Sequence, residues 1–215
     1  MSYVPLNLTC ADKRVAGTIA MATEQHLEQA HYLLAATYTN GAPGNTFGTS
    51  AAIMMLLSIA AASAIRHFVP KANKNTRKDS ESFVACVERY FPWGHIKILD
   101  GEHRPARDLP GIAAKELYSV FRNPLVHSGG VTGKGHFHRS PAIMHLFPGL
   151  SPAENAKIIS DLCSLSSYHG QVLLEIGAER SIVHTRPLYW CTRKMIEAFA
   201  ADPLVETDIK RNMGY

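Results

Sequence analysis

Apolar residues recur at helical spacing from about Asp12 to Asn40, where Val15, Ile19, Ala22, Leu27, Ala30, Leu33 and Leu34 form one stripe. Asn40-Gly41-Ala42-Pro43-Gly44 then breaks the run, so the pattern predicts a first long helix. Ala51 to Ile65 is apolar nearly all round, with Ile53, Met54, Met55, Leu56, Leu57 and Ile59 followed by alanines, which predicts a central, buried helix that neighbours approach closely. At about 15 residues it falls short of the roughly 20 needed to cross a bilayer, so no membrane is expected as a partner. A third helix is predicted from about Ser80, capped by Asp79 or Ser80, with Phe83, Val84, Val87, Tyr90 and Phe91 as its core face and Pro92 as its stop.

His95 to Pro110 reads as a connector, because Ile96, Ile98 and Leu99 alternate only briefly before Gly101, Pro105 and Pro110 impose turns. Gly111 to Val120 returns to a helical period, and Gly129 and Gly130 end it beyond His127. Gly130 to Gly149 is rich in Gly, His and Pro and is expected to be a loop. Ser151-Pro152-Ala153-Glu154 has the form of a capping box opening a fifth helix through Ile158, Ile159, Leu162 and Leu165. Gln171 to Ile176 and Arg180 to Thr185, joined by Gly177-Ala178-Glu179, predict a short β-hairpin. Leu188, Cys191, Met195, Ile196 and Phe199 restore the helical period over Pro187 to Ala200, and the tail after Asp202 is expected to be peripheral. No internal repeat is present, and the expectation is a mainly α, single-domain bundle with a small β appendage.

Composition changes this picture little. The chain has 215 residues, of which 46% are hydrophobic and 19% charged, enough to bury a core and unlike a disordered chain. A net charge of +4 is compatible with a polyanionic partner but far from histone-like. Cys10, Cys86, Cys163 and Cys191 are scattered with no C-x-x-C pair, which suggests neither a zinc knuckle nor a disulfide framework and fits a reducing cytoplasm. No basic-then-apolar leader is read at the start, so a cytoplasmic location is expected. The basic stretch Lys71, Lys74, Arg77 and Lys78 reads first as a solvated loop and second as a surface that steers RNA.

The polar residues that call for chemistry stand at the end of the fourth helical run, in Phe121-Arg122-Asn123-Pro124-Leu125-Val126-His127. On an ideal helix Asn123 and His127 share a face, whereas Arg122 is turned from Asn123 by about 100°. Arg offers a rigid fork for phosphate, His exchanges a proton near neutral pH, and Asn orients either. The plain alternative is that Arg122 and His127 only cap and pin a helix end. His136, His138 and His145 have no Cys, Asp or Glu among them, so they read as structural or incidental, no metal or other cofactor is expected, and His136 and His138 are at most weak RNA contacts. There is no P-loop and no G-x-S-x-G elbow. Asp108 and Glu116 fall on opposite sides of a helix start, and Tyr118, Tyr189 and Trp190 read as packing residues before they read as platforms for bases.

Arg122, Asn123 and His127, on a helix that follows several amphipathic ones, resemble the R-x4-6-H motif of the HEPN superfamily, whose commonest catalytic form carries a polar residue directly after the arginine. The motif covers six residues, and the order of the helices extends the resemblance over about 12–130, leaving about 131–215 as a C-terminal extension with the hairpin. The resemblance implies a HEPN-like helical bundle that pairs as a homodimer, with both copies of Arg122 and His127 lining one cleft. It implies a metal-independent endoribonuclease in which the ribose 2′-OH attacks the adjacent phosphorus and the 5′-oxygen leaves, giving a 2′,3′-cyclic phosphate and a 5′-OH. His127 would act as general base or acid and Arg122 would stabilise the pentavalent phosphate. A defence or toxin–antitoxin setting with an antitoxin or other regulatory protein follows from the same resemblance, as does its alternative, a catalytically silent HEPN module binding a partner protein, nucleotide or RNA. Because Arg122 looks aside from the face that Asn123 and His127 share, a second copy of the helix is expected to complete the cleft.

Overall fold

The first apolar stripe folds as a long helix, α1 (Lys13–Thr39), with Val15, Ile19, Leu27 and Ala30 fully buried. Asp12 starts it by accepting the Arg14 backbone N–H at 2.8 Å, and that bond, with the Arg14 side chain beside it, holds the Asp12 carboxyl down at about 2. Thr23 occupies the same stripe without a penalty because its buried hydroxyl donates to the Ile19 carbonyl at 2.8 Å. The computed structural model describes residues 3–39, 52, 54–61, 79–128, 133–138 and 170–214.

Residues 54–61 are helical (α2) and bury Met54, Leu57, Ala60 and Ala61, while Met55 is 39% exposed, so this helix has an outer side. The next helix, α3 (Asp79–Tyr90), buries Phe83, Cys86 and Val87, and Phe91 follows them into the core. A single 3-10 turn, Trp93–His95, ends it, and the Trp93 indole N–H reaches back to the Val87 and Glu88 carbonyls at 3.2 and 3.0 Å, supplying partners that the helix end lacks.

The expected connector is in part a strand. Ile96–Asp100 forms β1, which pairs in parallel with β3 (Gln171–Ile176), and its ladder is interrupted by a bulge between Lys97 and Ile98. The expected loop after the motif is also in part a strand, since Gly135–His138 forms β2 and pairs in parallel with β4 (Ser181–His184). The predicted hairpin is present, with β3 antiparallel to β4 and the chain turning where the Gly177 N–H bonds the Arg180 carbonyl at 3.0 Å. A Cβ on Gly177 would lie 2.9 Å from that carbonyl oxygen, so only glycine fits the turn. The sheet order β1-β3-β4-β2 puts the hairpin in the middle and the two unforeseen strands on the edges.

Between β1 and β2 lies the helical run that carries the motif, α4 (Leu109–Glu116), a π-helical segment (Leu117–Arg122) and α5 (Asn123–Ser128). After β4 the chain enters α6 (Thr185–Ala200) without a loop, and α6 packs against α1, α3 and β3 with Leu188, Cys191, Met195, Ile196 and Phe199 buried. The tail is not peripheral. Pro203–Met213 forms α7, capped by Asp202, whose carboxylate accepts the Leu204 N–H at 2.9 Å, and closed by Gly214 in the left-handed region at φ 78°. Asp202 also accepts the Tyr90 hydroxyl at 2.7 Å and Arg89 at 2.8 Å, while Val205 and Ile209 enter the core.

Residues 3–11 strap the helices together. Glu24 on α1 accepts the Tyr3 hydroxyl and the Leu6 N–H, Arg193 on α6 donates to the Val4 and Pro5 carbonyls, and Glu206 on α7 accepts the Ala11 N–H at 3.0 Å. The molecule is thus mostly helical with a small four-stranded sheet. No described helix is long and apolar enough to cross a membrane. The predicted fifth helix and the basic stretch of residues 71–78 lie outside the described residues.

Candidate functional site

The motif helix is anchored by its apolar residues before its polar ones come into play. Ala113, Ala114, Leu117, Val120, Phe121 and Leu125 are buried, and the Phe121 ring meets Phe137 of β2 at 5.7 Å between centroids. Glu116 ties the same helix to the sheet by accepting the Ser181 hydroxyl of β4 and pairing with Lys134 at 2.7 Å, just before β2. Phe121, Ser181 and Lys134 together fix the helix end against one edge of the sheet.

A continuous α-helix does not run through the motif. The Asn123 N–H bonds the Tyr118 carbonyl, five residues back, as a π turn requires. Pro124 offers a reason, since it has no N–H for the Val120 carbonyl and its ring collides with that carbonyl in an ordinary helix. A π turn takes one residue more than an α turn, so α5 is rotated by about 100° from where an unbroken helix would carry it.

Arg122 is the last residue of the π segment and is half-buried. Its guanidinium lies over the Tyr118 ring, 5.2 Å from the centroid, and Nη1 donates to the Tyr118 hydroxyl at 3.4 Å, a long bond. Its Nε is buried and has no hydrogen-bond partner among the described residues. Tyr118 is in turn packed on Phe83 of α3 at 5.5 Å. Asn123, half-buried, and His127, exposed, stand four residues apart on α5. Among the described residues, neither side chain makes a hydrogen bond, and none joins Arg122 to His127. The chain therefore presents an arginine stacked on a tyrosine and, five residues on, a solvent-facing histidine.

The other candidates separate. His136 is exposed on β2, and His138 takes the register position beside His184 on β4, so both belong to an edge strand and not to the expected loop. Among the described residues, no three His, Cys, Asp or Glu side chains are grouped to hold a metal ion. Lys71, Lys74, Arg77, Lys78 and His145 lie outside the described residues. Tyr189 and Trp190 are core residues, 4% and 2% exposed. Asp108 stands before α4, near Arg107 at 3.6 Å, and Glu116 is committed to Lys134 and Ser181. Burial pushes the Cys86 thiol up to about 12 and raises Cys191 well above its ordinary value, which leaves neither a nucleophile near neutral pH.

Tyr118 was not singled out beside Arg122 by the sequence reading, although the four-residue spacing of an aromatic and an arginine on a helix was a usable signal. The link from Glu116 to Lys134 and Ser181 had no such signal, because it is made only when the sheet forms. Comparison with protein-family models, with curated proteins and with solved structures finds no match.

Proposed function

We propose that the chain is a HEPN-like, metal-independent endoribonuclease that acts as a homodimer, with Arg122 and His127 catalytic and Asn123 supporting. The observation that carries this reading is the helix end itself. A stacked, half-buried arginine and an exposed histidine follow one another within six residues, and the histidine has no partner inside the chain among the described residues. An arginine whose fork is held against an aromatic ring is suited to a phosphate. An exposed imidazole is suited to taking and returning a proton in general acid–base chemistry.

In this reading His127 removes the proton of the ribose 2′-OH or protonates the departing 5′-oxygen, the second copy of the motif supplies the complementary step, and Arg122 stabilises the charge on the pentavalent phosphate. A second copy of the motif completes the cleft in this reading, since among the described residues no hydrogen bond joins Arg122 to His127 within one chain. The biological setting we favour is cytoplasmic defence or toxin–antitoxin control by a regulatory protein. A second reading, a catalytically silent HEPN-like module that binds RNA, a nucleotide or a protein, draws support from the commitment of Arg122 to Tyr118.

Labelled RNA incubated with the purified protein in EDTA separates the two. The enzyme reading expects cleavage by wild type, leaving a 2′,3′-cyclic phosphate, and a loss of at least 100-fold in Arg122→Ala and His127→Ala, in line with the removal of a general acid–base or a charge-stabilising donor. Equal traces from all three proteins would sink it. A monomer in sedimentation at micromolar concentration would remove the two-chain cleft.

A further inference from the structure

We infer that Pro124 and Tyr118 are the positioning residues of Arg122: the proline imposes the π turn, and the tyrosine fixes the direction of the guanidinium that this turn delivers. The claim deepens the ribonuclease reading and, as far as the reaction is concerned, rests on it.

The argument starts from the backbone. In an ordinary helix every residue of the run Leu117–Arg122 would bond four residues back, and Pro124 would be wedged against the Val120 carbonyl. The observed bond from Asn123 to the Tyr118 carbonyl enlarges the turn just ahead of the proline. Functional sites are a common place for such turns, which are rare elsewhere. At the end of the enlarged turn the Arg122 Nε is buried with no acceptor among the described residues. A sequence selected for helix stability alone would not place proline there.

The side chains then complete the device. Tyr118 precedes Arg122 by four residues, so its ring is a platform beneath the guanidinium, at 5.2 Å, while its hydroxyl takes one Nη1 proton at 3.4 Å. Phe83 of α3, 5.5 Å from the Tyr118 ring, prevents the platform from swinging away. Of the five guanidinium protons, one is engaged among the described residues, which leaves the others for an anion. Neither Tyr118 nor Pro124 is required to touch RNA. Their effect passes through Arg122.

Three measurements on the intact chain test this: turnover and KM on RNA in EDTA, the thermal unfolding midpoint, and the NMR hydrogen exchange of the Arg122 Nε–H. The wild-type Nε–H is expected to exchange slowly because it is buried, and to exchange at least tenfold faster in Tyr118→Ala and Pro124→Ala. In those two variants kcat is expected to fall at least tenfold with KM changed less than threefold, and Tyr118→Phe, which keeps the ring and loses the hydroxyl, is expected to lie between. The midpoint of Pro124→Ala is expected not to drop, so that lost turnover cannot be lost folding. An Nε–H that exchanges equally slowly in all variants overturns the inference, as does full turnover with a freed Nε–H. Absence of cleavage by wild type, with the Nε–H freed in the variants, leaves the positioning standing and overturns only the ribonuclease reading.

Discussion

His31, buried at 5% exposure on α1, sits among the rings of Tyr3, Tyr32 and Tyr189 at centroid distances of 5.9, 5.7 and 6.0 Å. Burial lowers its pKa, and the neighbouring Arg193 guanidinium adds to that effect. A histidine whose folded pKa lies below the unfolded value near 6.5 is neutral in the fold while the unfolded chain has begun to take up a proton. Its favourable contribution is therefore complete above about pH 6.5 and declines as the pH falls through the unfolded value and on towards the folded one. Chemical denaturation at pH 7.5 and 5.5 is expected to show wild type weakened at the lower pH, and His31→Gln losing less between the two. The same residue illustrates what a sequence conceals. Two of the tyrosines around it and the arginine that opposes its protonation come from residues 3, 189 and 193, which only the packed fold brings near.

Helices with one apolar stripe were legible because their pattern is local: α1, α3 and α6 fall within a few residues of their expected ends. The hairpin was legible for a similar reason, since its two runs and their turn are neighbours in the chain. The edge strands were not. β1 has only the brief alternation of Ile96 and Ile98, and β2 is Gly-His-Phe-His, so both are made strands by partners some 75 and 45 residues away and not by their own propensity. The motif was legible as residues but not as geometry, because nothing local distinguishes a π turn at Leu117–Arg122 from a helix that simply meets a proline. The tail misled because its apolar positions are sparse, yet Ile209 is fully buried. Ile209→Ala is expected to cost about 2–5 kcal/mol in urea denaturation. A loss within 0.5 kcal/mol would return α7 to the periphery.

At the scale of the whole molecule, chain segments far apart in sequence close the structure. β1 and β2 flank a hairpin made long after both, and the strap at residues 3–11 is held by Arg193 and Glu206. Such long-range pairing makes for slow folding, because distant segments must meet before their contacts stabilise anything. During that wait, and afterwards, a sheet edge can recruit another chain. Lys97 gives the β1 edge a defence against this, because its exposed side chain puts a charge on the edge strand that a foreign strand would have to accommodate. Lys97→Val should therefore leave the unfolding midpoint within a few degrees of wild type and yet shorten the lag before turbidity at elevated temperature and concentration, as followed by light scattering. The exposed charge on β1 then acts less on the fold than on the company the protein keeps, by discouraging strand-to-strand aggregation.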